Sequence, residues 1–293
     1  MNKSVSLTLA LTLCALLLSG CGLHIRPSLG LSGINYEHPE KYTVGGAAFT
    51  DKVERVEVHW LSGNVTVTGH KGNEIRFSEK ANRNLTNDLS LHYWLDGRTL
   101  RIQFCRSGKW NLNGLKKDLT LQLPERLLES LTVDTVSARA DLEDLAVKDL
   151  DVDSVSGAVR LRDCQVSDRA RVDTTSGAVK AELTAALREW KADTVSGSVE
   201  LTVPAVGDFD VNTTSGSVNL TAEKAPKDLD VDTVSGSVNL TADADFTLDF
   251  DTVSGSFSSE LACKTENSRR IFGNGSGDYS IDTTSGSVRI EKK

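Results

Sequence analysis

The sequence is poor in positive charge: 33 Lys and Arg stand against 41 Asp and Glu, a formal charge of −8. Phosphate backbones and anionic bilayers are gripped by clustered cations, so a nucleic-acid binder is excluded and electrostatic adhesion to an anionic membrane is disfavoured. No C-x-x-C pair occurs, and Cys105, Cys164 and Cys263 are widely spaced and odd in number, which points away from a zinc site or a disulfide framework. No segment reaches the roughly 20 apolar residues that a membrane-crossing helix needs. There is no G-x-S-x-G elbow, and His24, His38, His59, His70 and His92 all lie outside the regular repeats described below, which leaves serine nucleophiles without a base. The "GNGSG" of residues 273–277 lacks the Lys-Ser/Thr ending of a phosphate loop and reads as a flexible loop. No cofactor is implied.

What is present begins with an export signal, "MNKSVSLTLALTLCALLLSGC": a basic start at Lys3, an apolar run over residues 5–18, then small residues. Leu18-Ser19-Gly20-Cys21 resembles the bacterial lipobox, which implies removal of residues 1–20 and acylation of Cys21. Acyl chains contribute about 0.8 kcal/mol per buried methylene, so two or three of them hold a domain on the bilayer without a spanning helix. Gly22 rather than Asp follows the cysteine, which resembles the outer-membrane sorting rule of cells with two membranes. Residues 21–45, with Pro27 and Pro39, read as a tether.

The second half of the chain is a repeat. Copies of D-T-V-S-G begin at Asp134, Asp153, Asp173, Asp193, Asn212, Asp232, Asp251 and Asp282, at intervals of 19, 20, 20, 19, 20, 19 and 31 residues. The long interval contains "CKTENSRRIFGNGSG", an inserted loop or hairpin. Apolar residues stand three and one before each Asp, such as Leu229 and Val231, and resume beyond the glycine, as at Val238 and Leu240. This is a strand pattern of period two. Its parity switches at the Ser-Gly step: in the Asp232 copy the inward set is Leu229, Val231, Thr233 and Ser235 before it, then Val238 and Leu240 after it.

A continuous strand cannot switch parity, so Ser-Gly is a corner between two strands, with glycine expected for its backbone freedom. The corners are Ser156-Gly157, Ser176-Gly177, Ser196-Gly197, Ser215-Gly216, Ser235-Gly236, Ser254-Gly255 and Ser285-Gly286. Repetition assigns these serines to structure, since an enzyme needs one activated serine and a corner needs one per copy.

Two strands in 19 or 20 residues match one coil of a parallel β-solenoid, each coil pairing with the next at about 4.8 Å. The expected fold is therefore all-β, with about eight coils over residues 131–293. An antiparallel sandwich would place Asn-Gly or Asp-Gly turns in each copy, and they are absent. Residues 46–130 are an irregular β-rich part. There, "VEVHWLSGNVTVTG" is a worn copy with its corner at Ser62-Gly63, and "LHYWLDGRTLRIQF" is a hairpin turning at Asp96-Gly97. "DLTLQLPERLLESL" reads as a strand, a proline stop and a short helical turn.

The outward Asp of each copy stacks into a column of like charges. Neighbours about 4.8 Å apart repel by roughly 0.9 kcal/mol even in water. Relief comes from solvent, corner N–H groups, Thr hydroxyls and nearby Arg171 and Lys191, or else from calcium bridging along Asp153, Asp173, Asp193, Asp232 and Asp251.

With T-x-S-G followed by alternating apolar residues, a degenerate first copy, "LQLP" at residues 121–124 and "FGNGSGDYSIDTTSGSVRI" ending at Ile290, the chain resembles the bacterial adhesin-like family of β-strand-repeat proteins, a group of unknown function. The resemblance covers about residues 50–290. It implies an exported or membrane-attached protein and brings no catalytic residues. The function expected is a non-enzymatic, lipid-anchored envelope protein, an adhesin or binding and structural scaffold; the alternative is an accessory or sensor protein of an envelope-stress system. Its expected partners are the bilayer through acylated Cys21, and envelope or host surface molecules or a membrane protein.

Overall fold

The computed structural model describes residues 35–293 apart from 110, 111, 113 and 244. Cys21, the signal segment and most of the tether lie outside the described residues. Contacts divide the chain into two units, one ending at Val166 and the other beginning at Ser167.

In the first unit the strands are β1 (Thr43–Val44), β2 (Ala47–Phe49), β3 (Arg55–His70), β4 (Ile75–Ala81), β5 (His92–Asp96), β6 (Thr99–Gln103), β7 (Lys117–Pro124), β8 (Leu128–Glu143), β9 (Ala146–Ser154) and the start of β10 (Val159–Thr174). β3 is the worn copy: it runs parallel to β8 with Ser62 beside Ser137. Beyond β8 lie β9 and the first residues of β10, again parallel. The other edge of β3 is covered by β6 and β7, which pair antiparallel with β5 and β4. An open ladder edge invites association, and this antiparallel layer closes it. The β5–β6 hairpin turns at Gly97, whose φ is +59°. The chain after Pro124 only bends before β8; no helical turn forms, because Glu125 N–H and Arg126 N–H bond back to His70 O and Pro124 O.

The second unit holds the end of β10, then β11 (Val179–Leu183), β12 (Leu187–Thr194), β13 (Val199–Thr213), β14 (Val218–Lys224), β15 (Asp228–Thr233), β16 (Val238–Ala242), β17 (Phe246–Thr252), β18 (Phe257–Ser259), β19 (Cys263–Glu266), β20 (Arg269–Phe272), β21 (Gly277–Thr283) and β22 (Val288–Lys292). It is a parallel β-solenoid. Strands before the corner stack as β10, β12, β13 and β15, while strands after it stack as β11, β13, β14 and β16. β13 serves both rows because the return from one coil to the next remains extended rather than loose. Inward columns form the core: Trp190, Phe209, Leu229, Tyr279 and Leu248 are each 4 % exposed or less.

Spatial order departs from chain order. β21 lies between β15 and β17, and β22 between β16 and β18. The hairpin β19–β20 doubles back antiparallel against β17 and returns the chain so that the last coil enters between two earlier ones. Among the described residues no helix is long and apolar enough to cross a membrane.

Candidate functional site

The corners occupy bends, with glycine inside and serine outside. Ser156, Ser176, Ser196, Ser215, Ser235, Ser254 and Ser285 are all exposed, which corrects the inward placement of Ser235. Its hydroxyl, like those of Ser196, Ser215, Ser254 and Ser285, donates to a carbonyl of the adjacent coil at 3.4 Å. The inward place after Thr233 belongs to Gly236. This glycine is not in the left-handed region; it is required by proximity, because a Cβ there would sit 1.9 Å from Gly216 O and 2.8 Å from Thr233 Oγ1. The expected reason, backbone freedom, is thus replaced by lack of room.

Each corner is tied by the preceding hydroxyl. Gly177, Gly197, Gly216, Gly236, Gly255 and Gly286 donate their N–H to Thr174, Thr194, Thr213, Thr233, Thr252 and Thr283 at 2.7–3.0 Å. In the remaining copy the direction reverses, and Ser154 Oγ donates to Gly157 O at 2.8 Å. Local side-chain bonds of this kind compete with regular ladder, so a threonine at this place ends the strand and shapes the bend.

The Asp residues stack in register within each unit. In the first, His59, Asp134 and Asp153 are neighbours, and His59 Nδ1 lies 2.7 Å from Asp134 Oδ2. His59 therefore takes the Asp place of the worn copy. In the second unit the order is Asp173, Asp193, Asn212, Asp232, Asp282 and Asp251.

Relief of charge is uneven along this row. Arg171 donates twice to Asp173 Oδ2, at 3.0 and 2.5 Å. Asn212 interrupts the row as a donor, reaching Asp193 Oδ1 at 2.9 Å and Asp210 Oδ1 at 3.2 Å. Lys191 turns to Asp210. Burial, then Asp230, Asp282 and Asp210, push the Asp232 carboxyl up to about 6; burial and then Asp251 push Asp282 up as well.

Around this end of the row runs an acidic groove of about 330 Å³, lined by Asp208, Asp210, Asp228, Asp230, Asp249 and Asp278 with Arg269 at its edge. Among the described residues no three His, Cys, Asp or Glu side chains converge to hold a metal ion. Calcium takes six to eight converging oxygens, whereas a parallel ladder sets its carboxylates side by side.

The sequence reading passed over one buried charge. Lys117 is wholly buried: its Nζ donates to Leu89 O at 2.8 Å and to Phe104 O, stands 2.6 Å from Glu79 Oε2, and lies 4.2 Å from the Phe104 ring centre and 5.0 Å from that of Trp60. Burial pulls its ammonium below the usual range while Glu79 holds it up. The signal was parity, since Lys117 shares the buried phase of Leu119, Leu121 and Leu123 in β7. Trp60 Nε1–H donates to Lys117 O at 2.7 Å, and the ammonium is held between two carbonyls and the Glu79 carboxylate, an internal tie of the first unit. Burial also pushes the Cys105 thiol up to about 11.

No curated protein matches the sequence. Solved structures with similarity include a provisionally named lipid-binding protein of Parabacteroides distasonis, with 16 % identity over 85 % of this chain and 97 % of that one and a TM-score of 0.49. A provisionally named adhesin of Bacteroides fragilis has 13 % identity over 86 % and 97 %, TM-score 0.43. A provisionally named cell adhesion protein of Clostridium sporogenes has 11 % over 86 % and 100 %, TM-score 0.29. These identities and scores carry no functional argument. The family model described as Toastrack DUF4097 matches residues 53–291, and this chain, a β-solenoid with the Thr-tied glycine corners described above, belongs to that family.

Proposed function

We propose that this chain is a non-enzymatic protein of the cell envelope, anchored by lipid at Cys21, whose solenoid serves as an adhesin-like binding and structural surface. One observation carries the reading: the repeat's potential nucleophiles are spent on geometry. Thr233 Oγ1 accepts the Gly236 N–H at 2.9 Å and Ser235 Oγ donates to Thr214 O at 3.4 Å, and the same bonds recur from coil to coil. What the coils offer outward is a file of exposed corner serines beside a row of mostly half-buried aspartates, on a regular spacing suited to repeated contacts. The lipobox at Cys21 supports attachment at the outer face of a membrane.

The test joins anchoring to binding. Cells producing the full chain are fractionated with and without Cys21→Ser, and their retention on immobilised envelope polymers is measured. Release of the variant from membranes, with lost retention of cells but retained binding by the released protein, is the expected result. Unchanged membrane attachment overturns the anchor, and turnover of the polymer abolished by one substitution overturns the non-enzymatic reading.

A further inference from the structure

β21 and β22 fill a slot whose two walls are supplied earlier in the chain. β21 pairs with β15 from Asp228 beside Asp278 to Thr233 beside Thr283, and with β17 from Phe246 beside Gly277 to Thr252 beside Thr283. β22 is held in the same way between β16 and β18. Tyr279 fixes the filling: its O–H donates to Pro226 O at 2.9 Å, and its ring stacks on Phe246 with centres 4.3 Å apart. Every one of these contacts joins the last coil to the slot, and the same residues of another molecule reproduce them all.

The link that returns the coil is unfavourable. The last pair of the β19–β20 hairpin is Glu266 beside Arg269, so its two turn residues are Asn267 and Ser268, with φ of +48° and +69°. A two-residue turn with both central residues left-handed favours Asn-Gly. Here a serine stands where glycine belongs, in a conformation that residues with a Cβ avoid. All four residues of β19 are exposed, and among the described residues this strand pairs only with β20. Short hinges under strain promote exchange of identical elements between copies.

We propose that the slot between β15–β16 and β17–β18 accepts the last coil of a second copy of this chain, giving a domain-swapped dimer in which residues 269–292 are exchanged reciprocally. The exchange conserves the slot contacts and opens both strained turns into extended chain. Its balance is set by concentration and by the hinge.

Asn239 and Arg289 are in-register neighbours on β16 and β22, within disulfide reach across a parallel ladder. The full chain carrying Cys263→Ser, Asn239→Cys and Arg289→Cys is prepared with two different tags, and the two forms are refolded together in detergent over a range of concentrations and oxidised. The expected product is a covalent dimer bearing both tags, in a proportion that rises with concentration. Ser268→Gly, which relaxes the hinge, lowers that proportion about tenfold or more. Bonds formed solely within single chains at every concentration, or a dimer fraction indifferent to Ser268→Gly, overturn the proposal.

Discussion

Lys117 Nζ lies 2.6 Å from Glu79 Oε2, with the lysine side chain wholly buried and the glutamate nearly so. Removing one partner of a buried ion pair strands the other and costs about 3–5 kcal/mol, whereas replacing both by apolar residues of similar volume is often neutral. Glu79→Ala is therefore expected to lower the urea midpoint of the first unit by that equivalent. The double variant Lys117→Met/Glu79→Leu recovers most of it. A Glu79→Ala midpoint equal to that of the parent chain contradicts the assignment.

Gly236→Ala and Gly97→Ala separate the two reasons for a glycine. At Gly236 the added methyl meets a carbonyl of the neighbouring coil at 1.9 Å, and backbone on both sides is fixed by ladder. Overpacking costs about 1–3 kcal/mol and occasionally more; this contact belongs at or above the upper end. Gly97 has open space around it and φ of +59°, so alanine there costs about 1 kcal/mol through backbone strain alone. Thermal scans of the two variants check the ranking, which reverses if the corner glycines serve conformational freedom.

Thr233→Val tests the corner tie. It keeps the shape but leaves the buried Gly236 N–H without its 2.9 Å acceptor, an unmade bond costing about 1–3 kcal/mol. Thr233→Ser restores the hydroxyl and most of the stability. Equal melting temperatures for Val and Ser at this position would show the bond to be dispensable.

The columns and corners were legible because a period of two and a period of 19 or 20 are both visible in one sequence. The order of the coils was not. Leu229, Tyr279 and Leu248 present the same kind of inward side chain, and Thr233, Thr283 and Thr252 make the same bond to their corner glycines, so any coil fits any neighbour in register. What sets the order is the inserted return of β19–β20, whose Phe272 stacks on Phe246, which in turn stacks on Tyr279. The aspartate row was half legible: the Asp of each repeat was visible, but not that Asn212 and Arg171 would satisfy one end of the row and leave Asp232 and Asp282 at the other.

Asp232 gives the second unit a pH dependence of definite sign. Its folded-state value of about 6 lies above that of an unfolded aspartate, because of burial and then Asp230, Asp282 and Asp210. The protonated form is thus favoured in the native state. The contribution is fully present below about pH 4 and is lost as pH rises through about 6. Asn212 and Asp282 flank it in register. Asp232→Asn should raise the melting temperature at pH 8 relative to the parent, by about 1 kcal/mol after solvent screening, with the difference shrinking toward pH 5. A difference that is constant across this range rules out the carboxyl as its source.

The intercalated coil also bears on how folding of the chain is completed. A solenoid grows by adding each unit to the one before it, with stability passed between nearest neighbours. That zipper runs as far as β16. The residues of β17 emerge next, yet their partner strand β21 follows 31 residues later, as counted from Asp251 to Asp282. Stepwise growth therefore halts two coils short, and those final two coils close as a single late step around a keystone.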